Sequence, residues 1–219
     1  MDVVTKIIMC SEEALTLTNQ RAIFWERESA LILSDLHIGK TAHFRKNGIP
    51  IPKDILEKDL NRLSDLISLF NVEKIIIVGD LFHAEANNDL LFFQEWLKNH
   101  ALIEIILVKG NHDKITKHVS QLFNNIYIVS NLTIRPFRFV HHPWTKDENS
   151  FIISGHTHPG VLIKGNGKQR IKLPSYQVNN NQLILPAFSL FTGLNTTKDS
   201  ADFINYAFTD EEIFKVELV

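Results

Sequence analysis

The apolar run Leu31-Ile32-Leu33 closes on an aspartate and a histidine two residues apart, Asp35 and His37. Related endings close four further apolar runs. Ile75-Ile76-Ile77-Val78 ends in Gly79-Asp80, and the run from Leu102 to Val108 leads to Gly110-Asn111-His112-Asp113. The run at 137–140 exits into His141-His142-Pro143, and Phe151-Ile152-Ile153 exits into Gly155-His156-Thr157-His158. Carboxylates, imidazoles and one carboxamide, without a thiolate, suit a borderline-hard divalent ion such as manganese, iron or zinc. The donors outnumber what one ion needs. They suit two ions about 3.5–4 Å apart that share a carboxylate, the usual apparatus for phosphoryl displacement. Such a site stays net positive after Asp35, Asp80 and one bound hydroxide are counted. It therefore attracts a phosphate oxygen and stabilises charge in the transition state. The ions also bring bound water near neutral pKa, so a metal-bound hydroxide is the expected nucleophile. Each piece alone is weak, because a lone His-x-His is usually two surface or core histidines. Five pieces at five strand exits are not accidental.

The elements that must position these residues follow from hydrophobic patterning. Residues two apart share a face of a strand or of its extended exit, so Asp35 can converge with His37, and His156 with His158. Four β-branched residues at 75–78 read as a strand buried on both faces, and open α/β sheets collect ligands beyond the carboxyl ends of such strands. Short strands are expected at 3–9, 14–18 and 21–25. Gly39 to Asn47 reads as a polar, basic loop with Lys40, His43, Arg45 and Lys46, closed by Pro50 and Pro52. Pro52 is placed to open a helix with Leu56, Leu60, Leu63, Ile67 and Phe70 on one face. A second helix is expected over about 88–99, capped by Asn87 or Asn88, with Leu90, Phe93 and Leu97 inward. Strand–helix–strand twice over argues for parallel pairing. Short strands follow at 126–129, 132–134 and 137–140. From 160 the chain reads as strand and turn, with Gly165-Asn166-Gly167 as a hairpin signal between 161–164 and 169–173. Asn179-Asn180-Asn181 separates two further strands, and Asp210-Glu211-Glu212 turns a last hairpin. With no repeat, low-complexity tract or linker, residues 1–219 read as one α/β domain.

Bulk composition excludes other classes. The chain has 219 residues, 44% hydrophobic and 22% charged, which suits one ordinary globular core. A net charge of −2 argues against a nonspecific nucleic-acid coat but permits a local basic groove. One cysteine, Cys10, excludes an intrachain disulfide and a thiolate cluster, and fits a reducing compartment. No run reaches the eighteen or so apolar residues of a membrane span, and the first residues do not resemble a signal peptide. The expected location is cytoplasmic, with no membrane partner.

The order of these motifs resembles the calcineurin-like metallophosphoesterase superfamily. The residues that carry the resemblance are Asp35-Leu36-His37, Gly79-Asp80, Gly110-Asn111-His112-Asp113, His141 and Gly155-His156-Thr157-His158. The resemblance implies a four-layer sandwich of two mixed β-sheets flanked by helices. It implies that Asp35, His37, Asp80 and His158 hold one metal, and that Asp80, Asn111, His141 and His156 hold the other, with Asp80 bridging. It makes His112 a general acid or phosphate donor, held by Asp113. His142 is then a residue that supports a ligand or faces substrate. His83 departs from the superfamily, which commonly has an acid or amide there.

A narrower resemblance covers roughly residues 30–195. Ser34-Asp35-Leu36-His37-Ile38-Gly39-Lys40, Phe44-Arg45, Gly48-Ile49-Pro50-Ile51-Pro52, Gly79-Asp80-Leu81-Phe82-His83, His158-Pro159-Gly160-Val161 and Leu185-Pro186-Ala187-Phe188 with Phe191-Thr192-Gly193 are similar to the ligase-associated DNA damage response endonucleases. That resemblance implies a bacterial, manganese-dependent phosphodiesterase acting on DNA. It also implies an ATP-dependent DNA ligase, a helicase and a second nuclease as partners.

From the residues themselves, the basic stretch after His37 is the natural substrate contact. Lys40, Arg45 and Lys46 lie in it, with Arg45 able to grip a phosphate through two nitrogens, and His83 and His142 are further substrate candidates. Trp144 and Phe191 are candidates to stack bases. Three functions compete. The first is a DNA endonuclease in repair. The second is a phosphoesterase of a small nucleotide or cyclic nucleotide, and the third is an inactive scaffold in a ligase and helicase complex. The complete donor set argues against the scaffold. Self-association is left open.

Overall fold

The computed structural model describes residues 2–52, 54–83, 88–143, 150–165, 167–197 and 202–216. The first sheet has seven strands in chain order: β1 (Thr5–Cys10), β2 (Glu13–Thr18), β3 (Ile23–Trp25), β4 (Ala30–Leu33), β5 (Lys74–Val78), β6 (Glu104–Val108) and β7 (Ile126–Val129). β1 to β4 pair antiparallel and β4 to β7 pair parallel. Parallel neighbours need crossover connections, and helices supply them. α1 (Lys40–Lys46) and α2 (Ile55–Phe70) join β4 to β5, α3 (Asn88–Asn99) joins β5 to β6, and α4 (Lys117–Leu122) joins β6 to β7.

The second sheet begins with β8 (Leu132–Ile134), β9 (Phe137–Phe139) and β10 (Phe151–Ser154). It continues with β11 (Gly160–Lys164), β12 (Arg170–Val178), β13 (Gln182–Ile184), β14 (Ile204–Phe208) and β15 (Ile213–Val216). Their spatial order is β15-β14-β12-β13-β10-β9-β8, with β11 hydrogen-bonded to β12 off this path. β9, β10 and β13 are parallel neighbours, and the other pairs are antiparallel. The architecture is the expected α/β sandwich of two mixed sheets. The described residues after Leu122 contain no helix, so the helical cover lies on the first sheet.

Period-two alternation along the central strands explains both layers of core. Ile75 and Ile77 point to one side, where they join Leu31, Leu33, Leu60, Leu63, Phe93 and Phe123 under the helices. Ile76 and Val78 point to the other, where they join Trp25, Ile32, Phe137, Phe139, Ile153 and Tyr176 between the sheets. Burial of each such large side chain contributes about 1.5–3 kcal/mol. The strands are therefore held from both faces, and their exits are placed firmly.

Two local readings differ from the sequence expectation. The basic segment read as a loop is in part the helix α1. It lacks an apolar stripe, and Gly39 at its N-cap has no side chain to cap it. The cap comes from α3 instead. The Asp89 carboxylate accepts hydrogen bonds from Thr41 Oγ1 at 3.0 Å and from the Ala42 amide at 3.2 Å. A carboxylate at a helix N-terminus also meets the positive end of the helix dipole. Pro52 does not open α2, which starts at Ile55 after Asp54 at the N-cap.

Candidate metal centre

β4, β5 and β6 end side by side in one sheet, and β9 and β10 end side by side in the other. Backbone hydrogen bonds zip their exits together. The amides of Asp35, His37 and Ile38 donate to the carbonyls of Gly79, Asp80 and Leu81, and the Gly155 amide donates to the carbonyl of His141. The sheets are bridged at the same place, because the Phe188 amide donates to the Ser34 carbonyl and the Ser189 amide to that of Asp35. The exits are not extended, as the spacing had suggested. Asp35, His37, Asp80, His156 and His158 all have positive φ, between 51° and 71°. A left-handed residue costs about 1–2 kcal/mol, a cost the flanking hydrogen bonds offset. Each such turn swings a side chain sharply off the strand line, and this is what makes the pairs converge.

The glycines before these residues are required by close approach. A Cβ on Gly79 would lie under 3.0 Å from the His141 ring. One on Gly110 would invade the Asp80 carboxylate and amide, and one on Gly155 would invade Ser34 and Asp35. Segments of the chain pass so tightly around the crevice that only hydrogen fits between them at these three positions.

The donors fall into groups linked through Asp35 and His141. Asp35, His37 and His158 offer ligand atoms within 4.8 Å of one another, as do Asp35, Asp80 and His141. His158 Nε2 is 3.0 Å from Asp35 Oδ1, and His37 Nε2 is 3.9 Å from the same oxygen. His141 Nε2 is 3.3 Å from Asp80 Oδ2 and 3.0 Å from Asn111 Oδ1, while His156 Nδ1 is 3.2 Å from His141 Nε2. Ligands of one ion with bonds near 2.1 Å stand roughly 3–4 Å apart, so these separations fit a divalent metal. His142, expected to support a ligand or face substrate, shares a donor group with His141 and His156. Its ring lies 4.1 Å from that of His156.

Protonation and orientation suit metal binding as well. His37 is buried, and neither of its ring nitrogens has a hydrogen-bond partner among the described residues. A buried polar atom left so costs about 1–3 kcal/mol, which an ion on one nitrogen relieves. Burial and the nearby Lys40 hold the His37 pKa down at about 3 against the pull of Asp35 and Asp80, so the ring is neutral with a free lone pair. Burial pushes Asp80 up, but hydrogen bonds from His141 and from the His112 amide outweigh it and hold the carboxyl at about 2. Asp35 is also held below the usual carboxylate range, its burial outweighed chiefly by His158. His141 Nδ1 lies 3.1 Å from the Val78 carbonyl, and this turns Nε2 toward Asp80 and Asn111.

The remaining candidates divide. His112 is exposed at the mouth, its amide donating to Asp80 Oδ1 at 2.9 Å and its ring stacked on His83 at 4.9 Å. His83 also meets His37 and His43 edge-on, and burial together with His112 lowers its pKa to about 4. Lys40 feels Asp35 and Asp80, and burial lowers its pKa. Asp113 does not reach out to hold His112. Its carboxylate accepts the amides of Gly110, Asp80 and Phe82 at 2.7, 2.9 and 2.8 Å, so it ties the β5 and β6 exits together. Arg45 bonds Asp89 at 3.3 Å and the Pro52 carbonyl at 3.2 Å. Phe191 packs edge-on against Phe44, and Trp144 lies outside the described residues. Ser34 was missed as a site residue. Its buried hydroxyl touches the Asp35 carboxylate and the Val78 carbonyl, and its place beside Asp35 in the narrower family signature was the available signal.

An α/β sandwich with carboxylates and imidazoles gathered where its parallel strands end is the frame of a metal-dependent phosphoester hydrolase. Residues 29–151 match the model of the calcineurin-like phosphoesterases. The chain belongs to that family, whose members use divalent metals. Among solved structures, the Pseudomonas putida nuclease MPE is 28% identical and aligns over 97% of this chain and 100% of its own, with a TM-score of 0.81. The E. coli phosphoesterase Yfce is 15% identical over 86% of this chain and 98% of its own, with a TM-score of 0.45. An archaeal phosphodiesterase is 16% identical over 86% of this chain and 99% of its own, with a TM-score of 0.40. No curated protein matches the chain. Among the described residues, no helix is long and apolar enough to cross a membrane.

Proposed function

We propose that the protein is a two-metal phosphodiesterase that cuts DNA internally. The observation that carries the metal count is a chain of three donor groups, two of them sharing Asp35 and two sharing His141, with Asp80 in the group between. Asp35, His37, Asp80 and His158 would hold one ion. Asp80, Asn111, His141 and His156 would hold the other, with His142 near enough to join them. Manganese is the first choice, and iron or zinc suits the same donors. Bound there, the ions would neutralise phosphoryl charge and bring water to a pKa at which it can attack phosphorus. His112 would give a proton from its ring to the leaving oxygen, with the His83 stack fixing the plane of that ring. Lys40 adds positive charge beside the carboxylates and would draw a phosphate inward. Ser34 and Asp113 keep the carboxylates and the strand exits in place.

DNA as the substrate is supported by the correspondence, over 97% of this chain and the whole of the other, with a nuclease. A role in repair beside an ATP-dependent ligase, a helicase and a second nuclease belongs to the same proposal and rests on the sequence resemblance. The test is incubation with Mn2+ and circular single-stranded and supercoiled DNA, beside a bis-aryl phosphodiester. Cleavage of circles that stops with EDTA and in His112→Ala supports an endonuclease. Turnover of the diester with circles intact assigns the site to a small phosphoester.

A further inference from the structure

β11 follows directly from the donor loop, since Gly160 comes two residues after His158, and it pairs with the first half of β12, whose second half lies in the second sheet. They form a hairpin in which Leu162 pairs with Lys172, Ile163 with Ile171 and Lys164 with Arg170. Paired residues share a face, and so do residues two apart along a strand. Lys164, Arg170 and Lys172 therefore stand together on one face, with Lys168 beyond them near the turn. All four are exposed. None has an ion pair or side-chain hydrogen bond among the described residues. The chain as a whole carries a net charge of −2, yet from Asn149 to Lys198 it has five Lys and Arg and not one Asp or Glu. Lys164 directly opposite Arg170 is unfavourable for the hairpin, because like charges on a cross-strand pair repel. The outer half of the hairpin also buries little that would repay this. Ile171 is 58% exposed on the face opposite the cations. A fold that keeps unpaired like charges opposed, in a segment without acids, is built to meet a polyanion.

We propose that this hairpin is an arm that grips the sugar–phosphate backbone of a polynucleotide away from the bond being cut. The inference rests on the reading of the site as a DNA phosphodiesterase, and it adds a second contact region to it. Lys164 lies six residues beyond His158, a reach of at most about 20 Å at 3.3 Å per residue. That is the length of about six nucleotides at 3.4 Å each in B-form DNA. A substrate must therefore be a polymer to feel both the metals and the arm. Arginine and lysine on phosphates give affinity without sequence preference, and a salt dependence that counts the contacts.

The test compares wild type with a Lys164→Gln, Arg170→Gln, Lys172→Gln triple variant in Mn2+. The substrates are a 20-nucleotide single strand, a dinucleotide and a bis-aryl phosphodiester. All three positions are exposed, so thermal unfolding should be unchanged, and the bis-aryl rate checks that the site is intact. Each single substitution is expected to lower the slope of log KM against log salt by about 0.7, and the triple variant by about 2, at one phosphate per cation. KM for the 20-mer should rise at least tenfold, with dinucleotide and bis-aryl kinetics unchanged. An unchanged 20-mer KM and salt slope in the triple variant, with wild type cutting the 20-mer, overturns the arm and leaves the DNA reading intact. Failure of wild type to bind or cut the 20-mer overturns both.

Discussion

Asp80 is the residue at which the separate parts of the site meet. It accepts the His112 amide, faces His141, and shares a donor group with Asp35. Asp80→Ala should remove metal binding and phosphodiesterase activity together, as read by elemental analysis and bis-aryl turnover. His112→Asn should behave differently. It keeps the backbone bond to Asp80 but cannot act as an acid, so metal content should hold while kcat falls about 10²–10⁴-fold. Equal loss in both measurements would make His112 a structural residue. Gly79 tests the packing around these groups. Gly79→Ala places a methyl against the His141 ring at a φ of +87°, so it should destabilise the fold by about 1–3 kcal/mol and empty the site that His141 serves. Chemical type was legible in the sequence for all of these residues, because the donors follow apolar runs. Orientation was not. The left-handed turns at Asp35 and His37, and the diversion of Asp113 and Arg45 to backbone and Asp89, depend on neighbours distant in the chain.

Among the elements, α2 does more than cover the sheet. Its Asp59 and Arg62 are paired at 3.1 Å, and both reach the segment after β13. Asp59 accepts the Leu190 amide, and Arg62 donates to the Phe188 carbonyl and lies over its ring. Arg21 adds bonds to the carbonyls of Ala187 and Ser189. That segment in turn holds the backbone of Ser34 and Asp35. Arg62→Ala leaves a buried carboxylate without its partner, at a cost of about 3–5 kcal/mol. Burial already pushes Asp59 above the usual carboxylate range even with Arg62 beside it. We expect a large drop in denaturant midpoint, with weakened metal binding at the Asp35 group. Arg62→Lys should recover more stability than affinity, since an ammonium cannot keep the planar stack on Phe188. The α2 stripe itself was plain in the sequence at steps of three and four. α1 was not, because Asp89 caps it from another helix.

At the scale of the molecule, two sheets enclose one layer of core, and Cys10 sits inside it at the end of β1. Burial pushes its thiol up to about 12 from an ordinary 9.0. At pH 8 only about one molecule in 10⁴ then carries the reactive thiolate. Native protein should not react with a disulfide reagent within an hour at pH 8, and should react at once in strong denaturant. The sign for stability follows. The raised pKa favours the folded state below pH 9, and that contribution is lost as pH rises toward 12, a slope that Cys10→Ala would remove. The alternation of the central strands made their two-faced burial legible, whereas the stacking of the second sheet on the first was legible only through the family resemblance. Periodicity marks which face is buried and is silent on what covers it. Two-metal chemistry needs the linked donor groups to act as one centre, so the most direct measurement is the number of manganese ions bound per chain at equilibrium. Two ions in wild type, one in His158→Ala and none in Asp80→Ala are the expected counts. One ion in wild type, with phosphodiesterase activity at its full value, would contradict the two-metal site.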